Sequence, residues 1–116
     1  MRLRLRLLVA GFNEAVLAYT LARLEIAAAH PRILAPPVID RLGIAGRPSD
    51  GARVWRGAIR QVRVADTYVR TGASAVARRH EAWGRLVSAF ESLRDRAASI
   101  EALRAAGAHP RRKRAR

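Results

Sequence analysis

The stretch from Ser49 to Arg70 most strongly limits how this chain can fold, because it carries an apolar row and a basic row at helical spacing. Residues three or four apart share one face of an α-helix. The pattern therefore predicts an amphipathic helix that begins near Ser49 or Asp50, where either side chain can cap the first turn, and ends near Gly72. The arginines of its basic face recur at steps of three, four, three and seven: Arg53, Arg56, Arg60, Arg63 and Arg70.

The N-terminal third of the chain combines an alternating segment with an apolar one. Residues 2–9 alternate Arg and Leu at first, and this period of two predicts a half-buried strand or extended arm. Since no second strand is evident, the segment either pairs with another subunit or joins the helix that follows. Residues 14–29 are apolar over most of a helical surface, which indicates burial on more than one side. Residues 30–48 hold four of the five prolines and form a connector.

The C-terminal half predicts a second long helix, over residues 74–106. Apolar residues recur there at alternating steps of three and four, the spacing by which helices pack against each other or against another subunit. Glu81, Glu91 and Glu101 precede arginines by three or four residues, a spacing of weak surface ion pairs. The side chains predicted to form the apolar interface are Trp83, Leu86, Phe90, Leu93 and Ile100.

These segments together indicate a mainly α protein. The predicted order is an N-terminal strand or arm, an apolar helix, a Pro-rich connector, and two long helices that form a hairpin about Gly72. One helical domain is expected over residues 1–108. The tail 109–116 is a basic block that is disordered unless a partner holds it.

The charge of the chain indicates a polyanionic partner. Twenty-three basic residues face nine acidic ones, a formal net charge of +14. Residues 1–50 carry seven basic and four acidic side chains, an excess positive charge of +3. Residues 51–116 carry sixteen basic and five acidic side chains, an excess of +11. A GC-rich genome explains Arg over Lys but not this excess. The DNA or RNA phosphate backbone is the predicted partner, and sequence-specific reading is not indicated. Besides the five arginines of the amphipathic helix, the predicted contacts are Arg111, Arg112, Lys113, Arg114 and Arg116.

Other interpretations of the basic face stay open at this point. In the plainest interpretation it is a helix face exposed to solvent. In the second interpretation it contacts an acidic protein, and in the third it contacts an anionic membrane surface.

Trp55 and Trp83 fall on apolar faces and are expected in the core. Tyr68 lies nearer the polar side and is the better candidate for stacking on a base.

Catalytic patterns are sparse, and the chain is expected not to be an enzyme. It has no cysteine, and its three histidines are far apart and form no paired-ligand spacing. Most acidic residues lie within one or two helical turns of an Arg, which favours their ionised form. Neither a metal nor another cofactor is expected. Asn13 and Glu14 interrupt the first apolar run, so no convincing signal peptide or membrane span is expected, and the location is cytoplasmic or virion-associated. A signal peptide and an Arg-rich transit peptide stay open as minor alternatives for the N-terminus.

The run from Pro48 to Trp55, PSDGARVW, resembles a PDGxxW-like stretch of the tail-completion (virion morphogenesis) proteins of tailed phages, which open with a short strand and an Ala/Leu helix. The resemblance covers about the first 72 residues and includes Thr71–Gly72. Here Ser49 is inserted, Trp55 comes one step late, and the later strands of that family have no counterpart. The resemblance implies a structural subunit of a larger assembly, whose basic face meets a neighbouring subunit or packaged DNA.

Overall fold

The computed structural model describes residues 2–29 and 51–107, and this part of the chain is built from helices. They are α1 (Arg2–Ala29), α2 (Gly51–Thr67), α3 (Ala75–Arg79) and α4 (Trp83–Gly107), and a π-helical turn (Tyr68–Gly72) continues α2. Helix α4 packs against both α1 and α2, whereas α1 and α2 touch each other far less. The mainly α prediction is confirmed. The predicted connector and the basic tail lie outside the described residues.

The core lies along the two sides of α4. Its largest fully buried side chains come from α1 and α4, and many of the remaining core positions are alanines. Alanine lets helices approach closely but removes little apolar area from water per residue. The largest side chains that are fully buried are Phe12, Ile26, Leu86, Leu93 and Ile100.

The predicted N-terminal strand is wrong, because residues 2–9 form the first turns of α1. Alternation would place Leu3, Leu5 and Leu7 on one face. The structure instead buries Leu5 together with Val9, four residues later, and leaves Leu3 and Leu7 exposed. A helix satisfies its backbone hydrogen bonds within the segment, whereas a strand needs a partner strand. The described residues contain no strand.

The single helix predicted over residues 74–106 is broken at His80. Ser74 caps α3, because its Oγ accepts a hydrogen bond from the backbone N–H of Ala77 at 3.1 Å. His80 takes an extended conformation, and its Nδ1 accepts from the backbone N–H of Ala82 at 3.0 Å. The side chain of His80 thus closes the turn before α4. The chain passes from α2 to α4 through the π-helical turn and α3, not through one turn at Gly72.

The predicted ion pairs along α4 are only partly present. Arg104 pairs with Glu101 at 3.1 Å, as the spacing predicts. Arg85 instead reaches across to Glu25 of α1, with Nη2 2.6 Å from Oε2. Among the described residues, no ion pair joins Glu91 to an arginine. The Arg85–Glu25 pair is exposed and the Arg104–Glu101 pair is partly exposed, so each contributes little stability.

Helix α1 is long and apolar enough over Leu3–Ala29 to cross a membrane, judged by length and composition alone. Helix α1 is therefore a weak candidate for a membrane span or a signal sequence, and the expectation that the chain has no convincing one stays a prediction. Half of the most apolar window is buried inside the fold, and core helices and signal sequences have the same composition. This is weak evidence for a membrane span.

Candidate nucleic-acid interface

Helix α2 separates its apolar and basic residues onto opposite sides, as the sequence predicts. Val54, Ala58 and Ala65 are buried against the rest of the fold. At about 100° per residue, the directions of Arg56 and Arg63 lie roughly 160–180° from the centre of that buried face. Arg56, Arg60 and Arg63 are all exposed. We call these three residues the Arg stripe.

The members of the Arg stripe have no carboxylate partner in the part of the chain that the structure describes. Arg70 differs, because its Nε donates to Asp66 Oδ1 at 2.8 Å, so its charge is partly offset. Arg53 belongs to α2, but the described side chains of this helix begin at Val54. The predicted contacts in the tail lie outside the described residues. The structure therefore brings together three of the ten predicted basic contacts as exposed charges that have no carboxylate partner among the described residues.

Arg78 holds the C-terminal end of this basic helix. Its Nη2 donates to the carbonyl oxygen of Arg70 at 3.0 Å, and its Nε donates to that of Ala73 at 3.3 Å. The π-helical turn is closed by the backbone N–H of Ala73, which donates to the carbonyl oxygen of Tyr68 at 2.9 Å. The last carbonyls of a helix lack partners within it, so a cation placed here both satisfies them and suits the helix dipole.

Trp55 packs on the side of α2 that faces α4. The guanidinium carbon of Arg104 lies 4.4 Å from the centre of the Trp55 ring, while Arg104 also pairs with Glu101. Trp55 is half-buried and belongs to the packing around the core. Trp83 is also half-buried and packs there. Both tryptophans thus lie where the sequence predicts.

The interpretation of Tyr68 as a base-stacking residue is wrong, because the structure buries it. The guanidinium carbon of Arg23 lies 3.8 Å from the centre of its ring, and the ring of Trp83 lies 6.0 Å away. On a helical wheel Tyr68 falls within about 40° of Val54, which is buried. The spacing of the sequence therefore already predicts that Tyr68 lies on the inner side of the helix.

The sequence pattern did not predict that Arg23 is buried beside a tyrosine. Arg23 is only 8 % exposed, and its Nε has no hydrogen-bond partner within the part of the chain that the structure describes. Tyr19, one turn earlier on α1, is buried beside it, and this burial raises the pKa of Tyr19 to about 12 against the opposing effect of the Arg23 charge. The signal was the four-residue step from Tyr19 to Arg23, which places both on one face of α1.

The side chains predicted to form an interface are used within the chain. Four of the five are buried in the single core cluster, and the fifth, Trp83, is half-buried against it. Their heptad spacing therefore reflects the packing of α4 within one molecule. The four buried members are Leu86, Phe90, Leu93 and Ile100.

The guanidinium groups of the Arg stripe offer positive charge and hydrogen-bond donors. Among the described residues, no group of three or more His, Cys, Asp or Glu side chains could hold a metal ion.

No family model, curated protein or solved structure matches the chain.

Proposed function

We propose that this protein binds the phosphate backbone of DNA or RNA through the Arg stripe, without strong sequence specificity and without catalysis. One observation carries the proposal. Arg56, Arg60 and Arg63 are exposed and lack carboxylate partners among the described residues, on a helix whose opposite face is buried. The scaffold therefore holds three guanidinium groups on one outward surface.

The dimensions of the Arg stripe suit a phosphate backbone. Residues 56 to 63 span about 10 Å of helix at about 1.5 Å per residue. Duplex DNA presents about six charges over that length, so each arginine can meet a different phosphate. The planar guanidinium donates two parallel hydrogen bonds to phosphate oxygens, which makes Arg well suited to this contact.

The distribution of charge supports the same proposal. The excess of +11 over residues 51–116 includes the Arg stripe and the tail, whereas residues 1–50 carry only +3. Attraction between such a charge and a polyanion is long-ranged at low salt. The tail residues Arg111, Arg112, Lys113, Arg114 and Arg116 supply further phosphate contacts in this proposal.

The direct test compares two variants that lose the same net charge. In one, Arg56, Arg60 and Arg63 are changed to Gln. In the other, Arg79, Arg94 and Arg96, which are exposed on α3 and α4, are changed to Gln. Fluorescence anisotropy with a generic labelled duplex and a generic single strand measures affinity at low salt.

The proposal predicts that the first variant loses roughly ten- to a hundredfold in affinity, because three phosphate contacts disappear. For the second variant, the decrease in the logarithm of the affinity should be less than about a third of the decrease for the first variant. Equal losses would mean that net charge alone governs binding and that the Arg stripe has no special role. No binding by the wild-type chain at low salt would refute the function itself.

A second candidate function is a structural subunit of a larger assembly, such as the neck or tail of a phage virion. One observation favours it: large apolar side chains remain exposed along α1, namely Leu3, Leu7, Leu17, Leu21 and Leu24. The resemblance of residues 48–55 to tail-completion proteins points the same way. In that role α1 would make the protein–protein contact, since the apolar residues of α4 are already buried.

A further inference from the structure

Helix α1 carries a second apolar row, on the side that faces away from the core. Its residues follow one another at alternating steps of four and three, from Leu3 to Leu24, and every one of them is exposed. Leu3 is 70 % exposed, Leu7 64 % and Leu21 57 %. This is the heptad spacing of a helix–helix seam. We call it the Leu row: Leu3, Leu7, Ala10, Glu14, Leu17, Leu21 and Leu24.

The opposite side of α1 is already occupied. Leu5, Phe12, Val16 and Ile26 are buried in the core with α4. A soluble helix normally has one apolar face, because a second one exposes apolar area to water. The Leu row therefore has no function in the fold of the single chain as the structure describes it.

We propose that the Leu row is the contact surface for α1 of a second copy of this chain, with the two helices antiparallel. In the register that the row favours, Leu3 of each copy lies opposite Leu21 of the other, and Leu7 lies opposite Leu17. Ala10 then lies beside Glu14. The proposal does not depend on nucleic-acid binding, since it uses a different helix and a different kind of contact.

The single acidic residue of the row determines the orientation. A parallel pair in register would place Glu14 against Glu14 inside the seam, where like charges are destabilising. The antiparallel register places Glu14 beside Ala10, which is small enough to leave the carboxylate a route to water. It also places the exposed Arg6 of one copy within about one helical turn of Glu14 of the other, which is a favourable charge pairing.

The same residue argues against a lipid surface as the occupant of the Leu row. If the row entered a bilayer, Glu14 would lie at its centre, where an ionised carboxylate is costly. A second copy avoids that cost because the seam between two helices leaves its edges in water. In the proposed register the seam buries Leu3, Leu7, Leu17 and Leu21 of each chain.

The first experiment measures the mass of the nucleic-acid-free full chain by sedimentation equilibrium over a range of concentrations. The proposal predicts a monomer–dimer equilibrium. Leu7→Gln combined with Leu21→Gln should weaken it by roughly a hundredfold or more, since two leucines per chain leave the seam. Glutamine keeps a high helix propensity, so circular dichroism should show unchanged helicity. The matched control is Val64→Gln, which alters an exposed apolar residue of α2.

Salt separates this proposal from nucleic-acid binding. Two copies that each carry +14 repel one another, so screening should strengthen dimerisation. Binding to phosphates weakens with salt, so each proposal can fail without the other. A chain that is monomeric at all concentrations and salt levels would overturn the proposed dimer. A second result would also overturn it: the protein sediments with anionic phospholipid vesicles, the two Leu→Gln changes abolish this binding, and the protein without vesicles is monomeric.

Disulfide trapping tests the orientation, because the chain contains no cysteine of its own. The antiparallel register predicts that a mixture of Leu3→Cys and Leu21→Cys chains forms a disulfide-linked dimer on mild oxidation. Neither variant alone should do so efficiently. Efficient linking of Leu3→Cys to itself would instead show a parallel pair and overturn the proposed arrangement.

Discussion

The guanidinium of Arg23 lies over the ring of Tyr68, with its central carbon 3.8 Å from the ring centre. This contact joins α1 to the turn that ends α2, two elements that otherwise touch little. Both residues are buried, so the cation–π attraction acts away from water, where it is strongest. The Arg23 side chain therefore links the N-terminal helix to the basic helix.

Replacement of Arg23 tests this link. Arg23→Ala should lower the free energy of unfolding by about 2–3 kcal/mol, because the ring contact and the packing of the long side chain are both lost. Arg23→Met should recover most of the loss, since Met fills a similar volume without a buried charge. Denaturant unfolding measures both values. If Arg23→Ala and the exposed control Arg79→Ala left stability equally unchanged, the link would be refuted.

The buried tyrosines predict a loss of stability at alkaline pH. Burial raises the pKa of Tyr19 to about 12, and it raises the pKa of Tyr68 in the same direction. An unfolded tyrosine ionises near pH 10, so above that pH the unfolded chain releases protons that the folded chain retains. The stabilising effect is complete below about pH 10 and is lost as the pH rises towards 12.

Denaturant unfolding at several values between about pH 9 and pH 11 checks this expectation. The Tyr19→Phe variant should lose clearly less stability over that interval than the wild-type chain does, because one titrating group has been removed. Parallel losses in the two proteins would show that Tyr19 ionises normally in the folded state.

Arg78 is expected to stabilise the end of α2 through its two hydrogen bonds to backbone carbonyls. Arg78→Ala should lower the free energy of unfolding by about 1 kcal/mol, because both hydrogen bonds are lost. The loss is no larger because water can reach the two carbonyl oxygens in place of the arginine. The neighbouring Arg79 carries the same charge and is also exposed, so Arg79→Ala is the matched control. A comparable effect of both changes would mean that charge, and not these hydrogen bonds, is responsible.

Two glycines within helices predict gains in stability. A Cβ at Gly84 would meet no atom within 4 Å, so Gly84→Ala should raise the free energy of unfolding by up to about 1 kcal/mol. A Cβ at Gly11 would collide with the guanidinium of Arg96, but that is the far end of an exposed, flexible side chain. Gly11→Ala should therefore be stabilising too, by a smaller amount. Thermal unfolding compares both, and a loss at Gly11 would show that Arg96 cannot move aside.

The sequence was most informative where the two faces of a helix differ in kind. On α2 the inner residues are apolar and the outer ones are arginines, so the period of 3.6 residues is unmistakable, and Gly72 marks the end of the helical segment correctly. On α1 both faces carry leucines. The short alternation of residues 2–9 then fits a strand as well as a helix, and only packing of Leu5 and Val9 into the core decides between them.

The candidate site was predictable in part for the same reason. Exposure of Arg56, Arg60 and Arg63 follows from the spacing alone. The burial of Arg23 does not, because an arginine is rarely buried and only the tertiary contact with Tyr68 explains it. Nor does the sequence of α4 alone show whether its apolar row meets α1 and α2 or another chain. The phosphate-binding role itself remains a prediction.

One measurement tests the central claim most directly: the slope of the logarithm of the binding constant for duplex DNA against the logarithm of salt concentration. Each neutralised phosphate contributes about 0.9 to that slope. Changing Arg56, Arg60 and Arg63 to Gln should therefore make it less steep by about 2–3, while the charge-matched variant at Arg79, Arg94 and Arg96 should change it by less than about 1. Equal slopes in the two variants would contradict the claim that the Arg stripe binds the backbone.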